Sequence, residues 1–327
     1  MTGTGMTGTV TAGTVLVVGD ANVDIILQGD IVPRFGQAEQ LLDEASLVLG
    51  SSAGIVACGL AKLGVGTTLL AVIGDDEFGR FTRSELAAAG VQTGALLTDA
   101  EVPTGISVIL SAPGDRSILT LPGTIPLLTA DAVREAVDAV RPDHVHFASY
   151  FLQPTLAAEL PSLLSWLRGR GIRTSLDTNW DPAERWGGLA DTLPKLDYLL
   201  PNREELHAIA GAVGGAAGLV APGRSDESAA GAIAALGPTV VVKAGAGGGW
   251  SLGRDAPRAS APGLVVDVVD TTGAGDSFDA GYLAAVAHGI DDERLRLRWA
   301  AVAGSLSTLA KGGTAGQPGK DRLIAAL

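Results

Sequence analysis

A single cysteine, Cys58, stands in a chain of 327 residues. One thiol excludes any disulfide within the chain and any thiolate-built metal cluster, and it fits a reducing, cytoplasmic setting. Basic residues are scarce too: 23 lysines and arginines face 36 acids, for a formal charge of −13. No basic stripe offsets that deficit, so neither nucleic acid nor an anionic membrane surface is an expected partner, although a local site can still take an anionic small molecule. No apolar run reaches bilayer-spanning length, and the opening MTGTGMTGTVTAGT lacks the cationic start and apolar segment of an ordinary signal peptide. By composition, residues 1–13 read as a flexible tail. Two nucleotide signatures are missing as well. Thr314 occupies the place where a GxxxxGK[ST] loop ending in Gly319 and Lys320 would need its first glycine, and no GxGxxG follows the first strand. These absences disfavour a P-loop kinase and a dinucleotide enzyme.

Aromatics make up only 4% of the chain, against 46% hydrophobic residues and 45 glycines, which points to an alanine, valine and leucine core with many tight turns. The length fits one large domain or two modest ones. Short β-branched runs alternate with helical stretches: VLVV from Val15, a helix over Ala53 to Leu63, LLAVIG from Leu69, then HVHF, RTSLD, YLLPN and TVVVKAG. Strands joined by crossover helices predict an α/β fold with a mostly parallel sheet. Two regions break the rhythm, 37–50 and 104–124, where strand-like GISVIL and SILTL flank an APGD turn without a helix. They predict a small β flap at one edge of the sheet. The glycine-rich stretch from Gly211 to Gly223 reads as a loop.

LVVDVVD followed by TTGAGD has the layout strand, glycine turn, helix, which in an open parallel sheet is where ligands sit. Gly273 and Gly275 let backbone approach a ligand, and the free amides of the first helical turn make an anion site. Phe278, Tyr282, Leu283 and Val286 recur at helical spacing toward a Gly289 cap. Asp276, at the helix N-terminus, should be ionised at neutral pH and able to take a proton beside that anion site. The pairing suits phosphoryl transfer, each part contributing roughly two to four powers of ten in rate. The plainer alternative is a carboxylate that only caps a helix.

DTTGAGDSFDAGYL resembles the C-terminal signature of the ribokinase-like (PfkB) sugar kinase family, and the similarity runs from about Thr14 to the C-terminus. The resemblance implies one kinase domain over 14–327, a ribokinase-like sheet flanked by helices, and a lid built from the 37–50 and 104–124 regions. It implies Asp276 as catalytic base, Gly273, Ala274 and Gly275 as anion hole, and Asp270 as a ligand of a monovalent cation. PNREEL looks like the family's NxxE element, which assigns Asn202 and Glu205 to water around magnesium; by itself it reads as a helix cap with Asn202 as the capping residue. VVVKAGAGGGW is similar to the nucleotide loop, with Gly245 and Gly248 at the family's spacing and Lys243 placed to meet a phosphate, or else a surface lysine.

On the acceptor side, VVGDANVDIIL puts Asn22 and Asp24 just beyond the first strand, where relatives bind sugar hydroxyls; a turn closed by their side chains is the alternative. Asp20 is an extra acid there. LGSSAGIVACGLAKLG resembles the N-terminal signature through Gly50 and Ser51 but departs from it twice: Ser51 replaces a common glycine, and Ile55 an expected asparagine, which removes a sugar contact. IGDDEFG matches the rest of that region. DTNWDPAERW is similar to the DxN segment of fructokinases and ketodeoxygluconate kinases, so Asn179 would reach the acceptor and Trp180 or Arg185 would shape its pocket. The two histidines of HVHF read as structural, without a third metal ligand nearby. The implied activity is phosphorylation of a sugar hydroxyl with ATP, Mg2+ and K+. A nucleoside kinase of the same fold and a silent sugar-binding homologue are the rivals; the lone Phe35 near the flap favours sugars. Because such flaps pair in many relatives, the resemblance allows a homodimer through the lid.

Overall fold

Apolar runs too short for helices become the strands of an eight-stranded sheet, seen in a computed structural model that describes residues 12–37, 39–112, 115–217 and 225–327. Across the sheet the order is Gly66–Leu70, Thr14–Val18, His144–Phe147, Arg173–Leu176, Tyr198–Leu199, Thr239–Lys243, Gly249–Leu252 and Ala259–Ala261. All neighbours pair in parallel as far as Thr239–Lys243, and the last two strands turn back antiparallel. Burial on both faces explains the continuous apolar runs. Val15 and Val17 lie in one core with helices Ser52–Lys62, Ala274–Ala287 and Glu293–Ser307. Leu16 and Val18 point the other way, into the core formed with Ala130–Val140, Pro154–Arg168 and Asp226–Ala234.

The lid is a separate four-stranded sheet in the order Leu42–Leu49, Asn22–Gly29, Gly105–Ala112, Asp115–Leu121. Asn22 and Asp24 therefore sit in a lid strand rather than in a turn closed by their side chains. Only Gly19, Asp20 and Ala21 separate that strand from the first strand of the main sheet. Its even-numbered residues face the body of the protein in three cross-strand rows: Val48, Asp24, Ser107 and Thr120; then Ser46, Ile26, Ile109 and Ile118; then Glu44, Gln28, Ser111 and Arg116.

Several expectations change. LVVDVVD is not a strand: the sheet ends at Ala261, Pro262 follows, and Val265, Val268 and Val269 have no ladder partner and remain exposed. Gly211 to Ala217 extends helix Arg203–Ala217 instead of forming a loop, and 218–223 lie outside the described residues. Pro113 and Gly114 of the APGD turn, and residues 1–11 of the tail, also lie outside them. Gly13 belongs to the body, since its N–H donates to Ala287 O at 2.8 Å. Among the described residues no helix is long and apolar enough to cross a membrane.

Candidate active site

The carboxyl ends of the parallel strands deliver the site, as the topology requires. Gly273 adopts φ 68°, a left-handed conformation open to glycine, and a Cβ there would lie 2.7 Å from Gly313 Cα. Helix Ala274–Ala287 starts at once, and its first-turn bond closes from Ser277 N–H to Gly273 O at 2.8 Å. Gly273 and Gly275 line a cleft of 620 Å³ together with Asp177, Asn179, Asn202, Glu205, Lys243 and Asp276. Ala274 does not share that role. Its N–H donates to Thr271 O at 3.2 Å, and the residue faces a neighbouring recess, which leaves Gly273 and Gly275 on the cleft.

Asp276 opens onto this cleft and accepts a hydrogen bond from the Ser52 hydroxyl at 2.5 Å. Burial pushes its carboxyl up to about 7, with the negative charges of Asp177 and Asp20 adding to the rise and Ser52 and Lys243 opposing it. The helix dipole alone would have kept it ionised at neutral pH; desolvation outweighs a field of that size. Ser52 N–H and Ala53 N–H donate to Asp20 at 3.3 and 3.1 Å, so the extra acid caps helix Ser52–Lys62. Ser51 holds φ 73° and its hydroxyl accepts from Gly54 N–H at 2.9 Å.

Gly50 lies between Asp276 and the Asn22–Asp24 pair. Its N–H donates to Asn22 O at 3.0 Å, and a Cβ at Gly50 would stand 2.2 Å from Asp24 Oδ1 and 2.7 Å from Asn22 Nδ2. Asn22 Nδ2 donates to Asp24 Oδ1 at 3.0 Å. Burial and nearby Asp20 raise Asp24 to about 6, against the pull of Asn22 and Arg116. Gly50, Ser51 and Ser52 thus run from the buried Asn22–Asp24 pair to Asp276.

Lys243 is not a surface residue. Its Nζ donates to Asp177 Oδ2 at 2.6 Å and Asp279 Oδ2 at 3.2 Å. Burial would lower it, but Asp177, Asp279 and Glu205 overcome that and hold the ammonium charged. Asn202 and Glu205 form a reciprocal cap: Glu205 N–H donates to Asn202 Oδ1 and Asn202 N–H to Glu205 Oε2, both at 2.8 Å. Burial and Asp177 push Glu205 up to about 7. Beside the cleft, a recess of 440 Å³ is lined by Gly245, Gly248, Val266, Phe278, Ala301 and Thr308. Gly248 has φ 85° and no room for a Cβ, which would sit 2.2 Å from Ala261 O.

Asp270 is a loop clamp, accepting from Thr272 N–H and hydroxyl at 2.9 and 2.8 Å and from Gly312 N–H at 2.8 Å. Arg116 of the lid donates to Thr272 Oγ1 at 3.3 Å, so the lid touches the glycine turn. Asn179 holds φ 53° and its Oδ1 accepts from Ser149 N–H at 2.8 Å. Trp180 packs edge-on against Trp186 at 5.2 Å, and Arg185 lines a different surface cleft with Tyr150 and Asp191. His144 and His146 share Ser175 Oγ at 2.7 and 2.8 Å in the buried sheet, a structural role.

Residues 12–320 match the model of the pfkB family of carbohydrate kinases. The chain belongs to that family. A fructokinase of Klebsiella pneumoniae is 30% identical, the match covering 95% of this chain and 98% of that protein. A ribokinase of Bacillus subtilis is 26% identical over 94% of this chain and 97% of its own. The solved ribokinase of Arabidopsis thaliana, complexed with ribose and ATP, superposes with a TM-score of 0.80 at 24% identity, over 96% and 98% of the two chains. Within this pfkB kinase the two departures from the usual signature have structural accounts. Ser51 keeps the positive φ that a glycine would supply, and Ile55, buried, packs beneath the glycine turn, its methyl groups within reach of Gly273 and Gly313. Sequence reasoning missed Ser52, Arg116 and Asp279 as neighbours of the site. Only Asp279 left a trace, three residues after Asp276 on the same helix.

Proposed function

We propose that the cleft transfers the γ-phosphoryl group of ATP to a hydroxyl of a sugar or sugar derivative. The observation that carries this reading is Asp276 facing the cleft beside Gly273 and Gly275 at a helix start, one turn of chain from the Asn22–Asp24 pair by way of Gly50. Asp276 takes the proton of the attacking hydroxyl. The glycine amides and the Lys243 ammonium meet charge on the moving phosphoryl group. Asn22 and Asp24 orient the acceptor, with Gly50, Ser51 and Asn179 shaping its surroundings. Gly245 and Gly248 bound the apolar recess, which suits a purine base.

Magnesium fits the donor set. Glu205 and Asp177 concentrate oxygen and negative charge in the cleft, and the raised Glu205 is a carboxyl that a cation would return to its ionised form. Asn202 and Glu205 would hold it through water, and it would neutralise phosphate charge. For potassium, three donors fill three of the roughly four lone-pair positions of Asp270, leaving one for a cation. A sugar is favoured over a nucleoside because none of the three rows on the body-facing side of the lid carries an aromatic. The lone thiol, Cys58, is buried, in keeping with a cytoplasmic enzyme.

An ADP-release screen with Mg–ATP, run in potassium and in sodium against hexoses, pentoses, ketoses, sugar acids, phosphosugars and nucleosides, tests the reading. A sugar is expected to turn over, faster in potassium. Silence on every acceptor while ATP still binds would make this a binding protein in kinase form.

The same reading extends to a homodimer paired through the lid. On the face of the lid turned from the body, Leu47, Leu119 and Leu121 stand in adjoining cross-strand rows with Ile25 and Ile106, and are 41%, 59% and 51% exposed. Sedimentation equilibrium is expected to give twice the chain mass, and Leu119→Glu with Leu121→Glu to give the monomer. A wild-type monomer at micromolar concentration rules the pairing out.

A further inference from the structure

Two buried carboxylates hold one ammonium under the glycine turn, where a single carboxylate would neutralise it. The side chains of Lys243, Asp177 and Asp279 are 10%, 1% and 0% exposed. Each carboxylate comes from a different element: Asp177 from the loop after Arg173–Leu176, Asp279 from helix Ala274–Ala287. A Cβ built on Gly275 would lie 3.5 Å from Lys243 Cδ and 3.9 Å from Nζ, so the lysine runs directly beneath the anion site.

We propose that Asp279 is a positioning residue that aims the Lys243 ammonium at the transferring phosphoryl group. The inference rests on the cleft being the phosphoryl-transfer site. A lysine is a flexible stem with a point charge, and one partner leaves it free to pivot. Asp177 draws Nζ toward the strand ends, and Asp279 draws it toward the helix, so the ammonium rests between them at the cleft floor. Fixing a rotamer-rich side chain before the nucleotide arrives lowers the cost of using its charge. Asp279 Oδ1 has no hydrogen-bond partner among the described residues although the side chain is fully buried. Burial pushes the Asp279 carboxyl up, against the pull of the Lys243 ammonium.

Calorimetric affinities for ADP and for a non-hydrolysable ATP analogue, both with magnesium, test this without any acceptor. Wild type is expected to prefer the triphosphate. Asp279→Leu, close in volume but without a polar atom, should lose about tenfold of that preference, the scale of a hydrogen bond to a charged group. Asp279→Asn should keep it, because the amide oxygen still accepts from Nζ. In a Lys243→Met background Asp279→Leu should cost nothing further, the mark of a residue acting through the lysine. Additive losses, an asparagine variant as poor as the leucine one, an unaffected leucine variant, or a wild type indifferent to the third phosphate would each overturn the inference. If the leucine variant does not fold, Asp279→Ala takes its place in the cycle. Absence of nucleotide binding altogether would overturn the kinase reading beneath it.

Discussion

Asp276→Asn is expected to fold, to bind ATP, and to turn over at least about a hundredfold more slowly than wild type, since the amide cannot take the acceptor's proton. The wild-type pH profile sharpens the test. The Asp276 carboxyl lies at about 7, so the ionised form needed for base catalysis is lost as pH falls through neutrality. The kcat/KM of wild type for the acceptor should fall about tenfold per pH unit below that point, whereas the variant's residual rate should lack this limb. Stability moves the opposite way. A carboxyl raised in the folded state favours folding only while protonated, and that contribution is lost as pH rises from 3.8 through about 7. Asp276→Asn should therefore melt a few degrees above wild type at pH 8 and lose the advantage near pH 4. A variant with near-normal turnover would remove Asp276 from the role of base.

Asp24→Ala is expected to raise the KM for the acceptor by about ten- to a hundredfold, as for a lost hydrogen bond to a charged group, with little change in the KM for ATP. Gly50→Ala should reproduce this split without removing a polar atom. Its new Cβ would fall 2.2 Å from Asp24 Oδ1, which must then move. The steady-state constants for both substrates decide the matter. If either variant weakened ATP more than the acceptor, the Asn22–Asp24 pair would not belong to the acceptor side.

The glycine turn and its aspartate were legible in the sequence because each residue does locally what its type predicts: Gly273 takes a positive φ and Asp276 opens a helix. The same holds for Asn202, whose place before a helix foretold a cap; the return bond from its N–H to Glu205 was not foreseen. What failed was whatever depends on tertiary surroundings. The dipole acting on Asp276 could be read from its position, but not the overlying protein that outweighs it. LVVDVVD has the composition of a strand, yet Val266 lines the nucleotide-side recess, so its apolar character serves a pocket instead of a ladder. The strand Asn22–Gly29 was hidden because Asn22 and Asp24 are residues that turns favour, although their alternation with Val23 and Ile25 is a strand pattern. Lys243 looked exposed because its partners lie 66 and 36 residues away.

Only three residues, Gly19, Asp20 and Ala21, join the central strand Thr14–Val18 to the lid strand that bears Asn22 and Asp24. The Asn22–Asp24 pair therefore stands where the lid joins the sheet, with Gly50 N–H bonded to Asn22 O and Asp20 capping the floor helix. In the proposed kinase, lifting the lid would carry that pair away from Asp276, so product release and loss of the acceptor site would be one movement. Such an enzyme would assemble its acceptor site again from two halves at each turnover.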